Sequence, residues 1–416
     1  MEISLGSTYG GSEYLDKLLP WEKDRTKLEL FGKNIDVKIQ SDLHKKTDCV
    51  MIEHGDKLYV LSNALNIRHN KEFKLNIDDK FIQLNKIAIS TEFDLSLFEC
   101  KIDDKTLYNS LKEDAIRIEL FDYNVVHKSC FVDILDANTK KSTITEYPIK
   151  AVVIDKVICH HIPESVFINI ESVKKVAGGQ IVCSDKHKII GMTSTVPTDN
   201  VINIIPSKVI KRFLDECFEC GEFNGICSVY CKLNTKDETV VVDALNINYN
   251  RYSKSAIKHS NLKDGDIILK INDLDINKGH VLDIDMNINI PLKTYIMINH
   301  YYGHEMHFTI KRKSNRHDIY INTRPINTVS IIPFNNLVDT KYITIDKQTY
   351  IELDHNIINY LLSNEIELDD NIMETFFINN YSDNKKRYIV AIGDAQFKRI
   401  IKIDKKTVNM VEDIVK

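Results

Sequence analysis

A chain of 416 residues, 43% hydrophobic and 28% charged, has the make-up of a globular protein of about two to four domains with real cores. Its formal net charge of -5 gives no general affinity for nucleic acid or an anionic membrane, and no apolar run approaches the ~20 residues of a membrane span. Nine cysteines, odd in number and scattered, together with an N-terminus lacking a basic segment followed by an apolar one, point to free thiols in a reducing, cytoplasmic compartment. The bias toward Ile, Lys, Asn and Asp hints at an AT-rich genome, as in many protists and large DNA viruses, which makes a virion or viral factory a candidate address.

Taken in order, residues 1–25 read as a polar N-terminal arm, with Gly10-Gly11 and the single Trp21 after Pro20, that docks on the body or on a neighbouring subunit. From about Lys27 to Ile204 the pattern is short strands rich in β-branched residues: Val50–Ile52, Leu58–Leu61, Phe81–Leu84, Ala115–Leu120 and Ala151–Ile154. Strands at this spacing predict an all-β barrel or sandwich. After Pro206, apolar Val209, Ile210, Phe213 and Leu214 predict a helix to about 216, and Gly221 to Gly225 a linker. A second unit follows over 225–315, with strands at 239–242 and 267–271, a short helix at 253–259, a helix at 290–301 and a strand at 306–310. The last hundred residues read as mixed, with strands near 318–322, 342–345 and 387–392, and helices at 354–363 and 406–415.

Four stretches carry a resemblance. Lys175-Val176-Ala177-Gly178-Gly179-Gln180 runs into a strand at 181–183 and a returning segment, Lys188-Ile189-Ile190-Gly191-Met192. Ahead of it come Leu61-Ser62-Asn63-Ala64-Leu65-Asn66 and Asp94-Leu95-Ser96-Leu97-Phe98; behind it, Ile204-Ile205-Pro206-Ser207. In this order they resemble the trypsin-like serine proteases of the HtrA/Deg family, where the corresponding motifs read Gly-Asn-Ser-Gly-Gly-Pro, Leu-Thr-Asn-Ala-His-Val, Asp-Leu-Ala-Leu-Leu and Ala-Ile-Pro-Ser. The resemblance implies a trypsin-like double β-barrel and places the catalytic triad at Leu65, Asp94 and Ala177. Acyl transfer needs a nucleophile, a base beside it and a group orienting that base. Alanine stands for the serine and leucine for the histidine, and only Asp94 is kept. Lys175 and Val176 occupy the former oxyanion loop, whose first position the family fills with glycine. Asp94 has a second account as a carboxylate bonded within its own turn. His69, Ser62 and Ser172 lie near enough in sequence to replace the lost groups, but they read as ordinary surface or loop residues.

A second match lies at Ser260–Leu274, whose Leu262-Lys263-Asp264-Gly265-Asp266-Ile267-Ile268 resembles the HtrA-type PDZ signature. The PDZ carboxylate loop then falls on Ser228, Val229, Tyr230 and Cys231, with Tyr230 where the family favours glycine. The insertion from His280 to Tyr302 is similar to that of eukaryotic, plant-type Deg proteases, and the last unit resembles their degenerate second PDZ domain. The implied layout is an arm at 1–25, an inactive protease domain at 26–217, a PDZ domain at 222–315 and a degenerate PDZ-like α+β domain at 316–416. The implied function is that of a pseudoprotease, a scaffold or assembly component with protein or peptide partners, and a trimer-based homo-oligomer. The alternatives are an active endopeptidase using displaced or partner-supplied residues, and an inactive subunit mixed with an active paralogue.

Cys217, Cys220, Cys227 and Cys231 have zinc-like C-x2-C and C-x3-C spacing. However, residues 227 and 231 on one strand would stand about 13 Å apart, too far for one ion. His300, His304 and His307 read as surface residues. No metal and no cofactor is expected.

Overall fold

The computed structural model describes residues 3–6, 38–41, 46–47, 49–64, 73–77, 80–90, 92–117, 121–122, 129–135, 142–156, 164–171, 178–184, 188–198, 201–229, 232–236, 239–243, 262–325, 342–345, 348–354, 357–358, 361–362, 368–377, 388–392, 402–403 and 406–407. They fall into two compact units. One comprises Glu22–Gly225 with His280–Tyr301; the other comprises Met1–Trp21, Ile226–Gly279 and Tyr302–Lys416.

The first unit is mainly β. Its strands begin with β1 (Lys38–Ser41), β2 (Cys49–His54), β3 (Lys57–Ser62), β4 (Phe73–Ile77), β5 (Lys80–Ser90) and β6 (Leu95–Cys100). The β2–β3 hairpin turns on Gly55-Asp56, with Gly55 at φ 60°, as a two-residue hairpin loop requires. Period-2 alternation puts Cys49, Met51, Leu58, Val60, Phe73, Leu75, Ile82 and Leu84 into one core. Helix α1 (Lys105–Asp114) follows, capped by Asp104, whose Oδ1 accepts from the N–H of Thr106 at 2.9 Å and of Leu107 at 3.2 Å. It adds Leu111 to that core. The strand expected over 115–120 is confirmed only as Ile116–Arg117, pairing parallel with β2.

The second set is β7 (Ser129–Leu135), β8 (Ser142–Lys156), β9 (Glu164–Glu171), β10 (Ile181–Cys183), β11 (Ile189–Thr198) and β12 (Val201–Pro206). These close into a barrel in the order β7-β8-β9-β12-β11-β10. The first set runs β1-β4-β5-β6-β3-β2. Counted from its own first strand, each set therefore has the order 1-4-5-6-3-2, the repeated Greek-key connectivity of a trypsin-like double barrel. Cys130, Val132, Val166, Ile168, Val182, Ile190, Met192 and Ile204 are fully buried in this unit. Gly191 lets β11 approach β12: a Cβ there would lie 2.3 Å from the Ile205 carbonyl oxygen.

Helix α2 (Ser207–Cys220) starts after Pro206, buries Val209, Ile210, Phe213, Leu214 and Cys217, and ends on Gly221 at φ 76°. The segment His280–Tyr301 is a hairpin (His280–Asp283 with Ile288–Pro291) leading into α3 (Leu292–Asn299), which packs against α2 and β9. The chain thus enters the barrel unit twice, the second time from within residues that resemble the PDZ insertion.

In the other unit, β13 (Lys232–Lys236) pairs with β14 (Thr239–Asp243), and β14 with β15 (Ile267–Ile271). Strand β15 also pairs with β16 (Leu274–Asn277) and with β17 (Glu305–Arg312), which pairs with β18 (Asn315–Asn322). A separate sheet joins Ile3–Gly6, β19 (Tyr342–Ile345), β20 (Gln348–Glu352) and β21 (Ile389–Ile392), so part of the expected arm is a strand on β19. Helix α4 (Asp370–Phe377), absent from the sequence reading, covers a core of Leu353, Ile358, Leu361, Ile372, Tyr388 and Val390. The helix expected at 354–363 is helical at 357–358 and 361–362; that at 253–259 lies outside the described residues. The helix expected at 406–415 is corrected at its start, where Lys406–Thr407 pairs as a strand with Lys402–Ile403. Residues 408–415 lie outside the description.

Candidate functional site

The site sits where the two barrels of the first unit meet. The end of β3 is pinned by the Ser96 hydroxyl, which donates to the carbonyls of Ser62 at 3.0 Å and Asn63 at 3.3 Å. This aims the Asn63 amide at the turn before β6. Its Nδ2 donates to Asp94 Oδ2 at 3.1 Å, to the Asp94 carbonyl at 3.2 Å and to the Thr193 carbonyl at 3.3 Å. Asp94 is fully buried at φ 54°, a left-handed backbone that aspartate tolerates better than most side chains. The turn is held by the Phe93 N–H donating to Ser90 Oγ at 3.2 Å, while that hydroxyl donates to Glu92.

From the second barrel the Ser194 hydroxyl donates to Asp94 Oδ2 at 3.1 Å. Thr193 binds the Gly178-Gly179-Gln180 loop three times. Its carbonyl accepts from the Gly179 N–H at 2.8 Å, its N–H donates to the Gln180 carbonyl at 2.8 Å, and its Oγ1 accepts from the Gln180 N–H at 2.9 Å. Asp94, the stretch ending in Asn63 and Gly178-Gly179, the two glycines of the motif expected to match the nucleophile loop, are therefore brought to one place, linked through Thr193. Leu65, Lys175, Val176 and Ala177 lie outside the described residues, as do His69 and Ser172. Ser62 is fully buried.

Among the described residues, the side chains bonded to Oδ2 of Asp94 are an amide and a hydroxyl, and neither takes up a proton near neutral pH. Burial is tolerable for a carboxylate so held, because charge-assisted bonds from both barrels replace its water. Asn63 Oδ1 and Gln180 Oε1 are buried and without a hydrogen-bond partner among the described residues. Asn63, Thr193 and Ser194 were not singled out from the sequence. Asn63 lies inside a motif that was read for its neighbour, whereas Ser194 stands 100 positions from its partner, with no local signal.

Of the expected PDZ loop, Val229 is buried and the Ser228 backbone pairs with Arg324; Tyr230 and Cys231 lie outside the described residues. Among the zinc candidates, Cys217 and Cys227 are buried and Cys220 is exposed. Burial pushes the Cys217 thiol well above its ordinary range, which favours an inert thiol over a thiolate ligand. No group of three or more His, Cys, Asp or Glu suited to a metal ion occurs among the described residues. His300 is buried edge-on to Tyr295, and His307 Nε2 lies 3.0 Å from Asp318 with its ring stacked on Tyr320. No helix among the described residues is long and apolar enough to cross a membrane.

No protein-family model and no curated protein matches the sequence. The chain is similar to solved structures of HtrA-type serine proteases. It is 12% identical to a serine endoprotease from Yersinia pestis, with a TM-score of 0.44 over 69% of this chain and 93% of that one. It is also 12% identical to the HtrA-type protease AlgW with tripeptide, with a TM-score of 0.47 over 69% of this chain and 92% of that one. At such values the likeness decides nothing by itself, and the fold rests on the strand order of the two barrels.

Proposed function

We propose that this chain is a catalytically inactive HtrA/Deg-like protein that works by binding: a scaffold or assembly component for protein or peptide partners. One observation carries the reading, the identity of the residues where the resemblance places the base and the nucleophile. Beside them, Oδ2 of Asp94 serves as a tie between the barrels, accepting from Asn63 on one and Ser194 on the other. The sequence has Leu65 and Ala177 at the other two triad positions. A methyl group and an isobutyl group supply neither nucleophile nor base.

The second unit is read as a PDZ domain followed by a degenerate PDZ-like domain. In support, Gly265 at φ 81° makes the turn into β15, as the PDZ signature requires. Asp266 fixes that turn by accepting from the Lys263 N–H at 2.7 Å and from Arg312 at 2.8 and 2.7 Å. Peptide capture there would be strand addition to a sheet edge. The layout is that of plant-type Deg proteases, and the proposed setting is a homo-oligomer in the cytoplasm or in a viral particle. Incubating the purified chain with an unfolded protein substrate tests the proposal. The substrate stays intact, and peptide release that tracks the chain through purification contradicts it.

A further inference from the structure

The inserted segment 280–301 is joined to the rest of the barrel unit by charged groups of α2, of which Lys208 is partly buried and Arg212 buried. Lys208 Nζ donates to both oxygens of the fully buried Asp283, at 2.8 and 2.7 Å, and to Asp285 at 2.7 Å. One turn on, Arg212 is buried and caps the C-terminus of α3. Its Nε donates to the carbonyls of Met297 at 3.2 Å and His300 at 3.3 Å, where helical carbonyls lack intrahelical partners. Its remaining nitrogens bond Glu216 and, at 3.2 Å, the Gly225 carbonyl. The Tyr301 hydroxyl donates to Glu219 at the far end of α2.

The same guanidinium stands over the rings of Phe93 at 5.3 Å, Phe223 at 5.3 Å and Tyr301 at 5.9 Å. Phe93 is buried and immediately precedes Asp94, whose positive φ leaves the turn little room to relax. If α3 leaves, Arg212 loses two acceptors and one aromatic face and retains Glu216, the Gly225 carbonyl and the rings of Phe93 and Phe223. The guanidinium must re-seat on those partners, and the packing of Phe93, which touches both it and Phe223, changes with it.

We propose that docking of segment 280–301 sets the geometry of the Asp94 turn, with Arg212 as the positioning residue between them. An event that lifts the insertion then loosens the joint between the barrels, and a change at the joint alters how tightly the insertion is held, because such coupling is reciprocal. This applies whether the joint cuts peptides or only binds them.

Hydrogen–deuterium exchange on the full chain tests it, using Lys208→Met and Tyr301→Phe, which loosen the insertion from opposite ends and do not touch Phe93. The expected result is about fivefold faster exchange in peptides from 292–300 together with those covering 90–98, while strand Ser129–Leu135 is unchanged. Unchanged exchange at 90–98 in both variants overturns the proposal, whether or not the insertion loosens. So does a rise that includes 129–135, because that reports global opening.

Discussion

Among the described residues, the Asp94 side chain accepts from donors on both barrels, so its removal should be felt in stability. Asp94→Ala takes one acceptor from the Ser194 hydroxyl and one of three from the Asn63 amide, and about 2 kcal/mol of unfolding free energy is expected to be lost. Urea denaturation measures it; a loss below about 1 kcal/mol would mean that the tie is idle. Gly191→Ala places a methyl carbon against the Ile205 carbonyl and the Ile204 side chain, and is expected to cost about 2 kcal/mol or more. The same denaturation experiment reads it. At this scale the sequence spoke clearly about identity and poorly about partnership. That positions 65 and 177 are leucine and alanine is plain, but nothing local to Thr193 or Ser194 announces an aspartate from the other barrel.

The elements were legible where an apolar run is short and bounded, or where one face is buried and one is wet. Strands β2 and β3 declare themselves as apolar runs buried on both faces and broken by Gly55-Asp56, and α2 by apolar residues at 209, 210, 213 and 214 between Pro206 and Gly221. Helix α1 was missed because its charged and polar residues outnumber the few that pack, and the Asp104 cap was not read. For α3 the helical pattern was right in type, yet almost every residue from Leu292 to Ile298 is buried, so no wet face says which body covers it. Within α2, Arg212 and Glu216 form a buried pair. Arg212→Met alone strands the carboxylate and is expected to destabilise by about 4 kcal/mol, whereas Arg212→Met with Glu216→Leu recovers most of that. A double variant no better than the single one would refute the pairing.

For the barrel unit as a whole, buried acids hold their protons more tightly folded than unfolded. Burial pushes Cys130 from 9.0 to about 12, Cys183 from 9.0 to about 11 and Tyr295 from 10.0 to about 12. The folded pKa values are raised, so this stabilisation is whole below pH 9 and is lost as the pH climbs from 9 toward 12. The thermal midpoint should fall across that window, and Cys130→Ala should flatten the fall; an unaltered slope would contradict this. The double barrel, the property of the whole unit, was expected through the resemblance of four short motifs, while its strand order comes from the structure. The return of residues 280–301 to the barrels was not foreseen, since no local pattern records which surface a segment will find. The most direct measurement is intact-mass spectrometry after exposure to an active-site-directed fluorophosphonate. The account predicts an unshifted mass, and a single adduct on any serine of the native chain would contradict it.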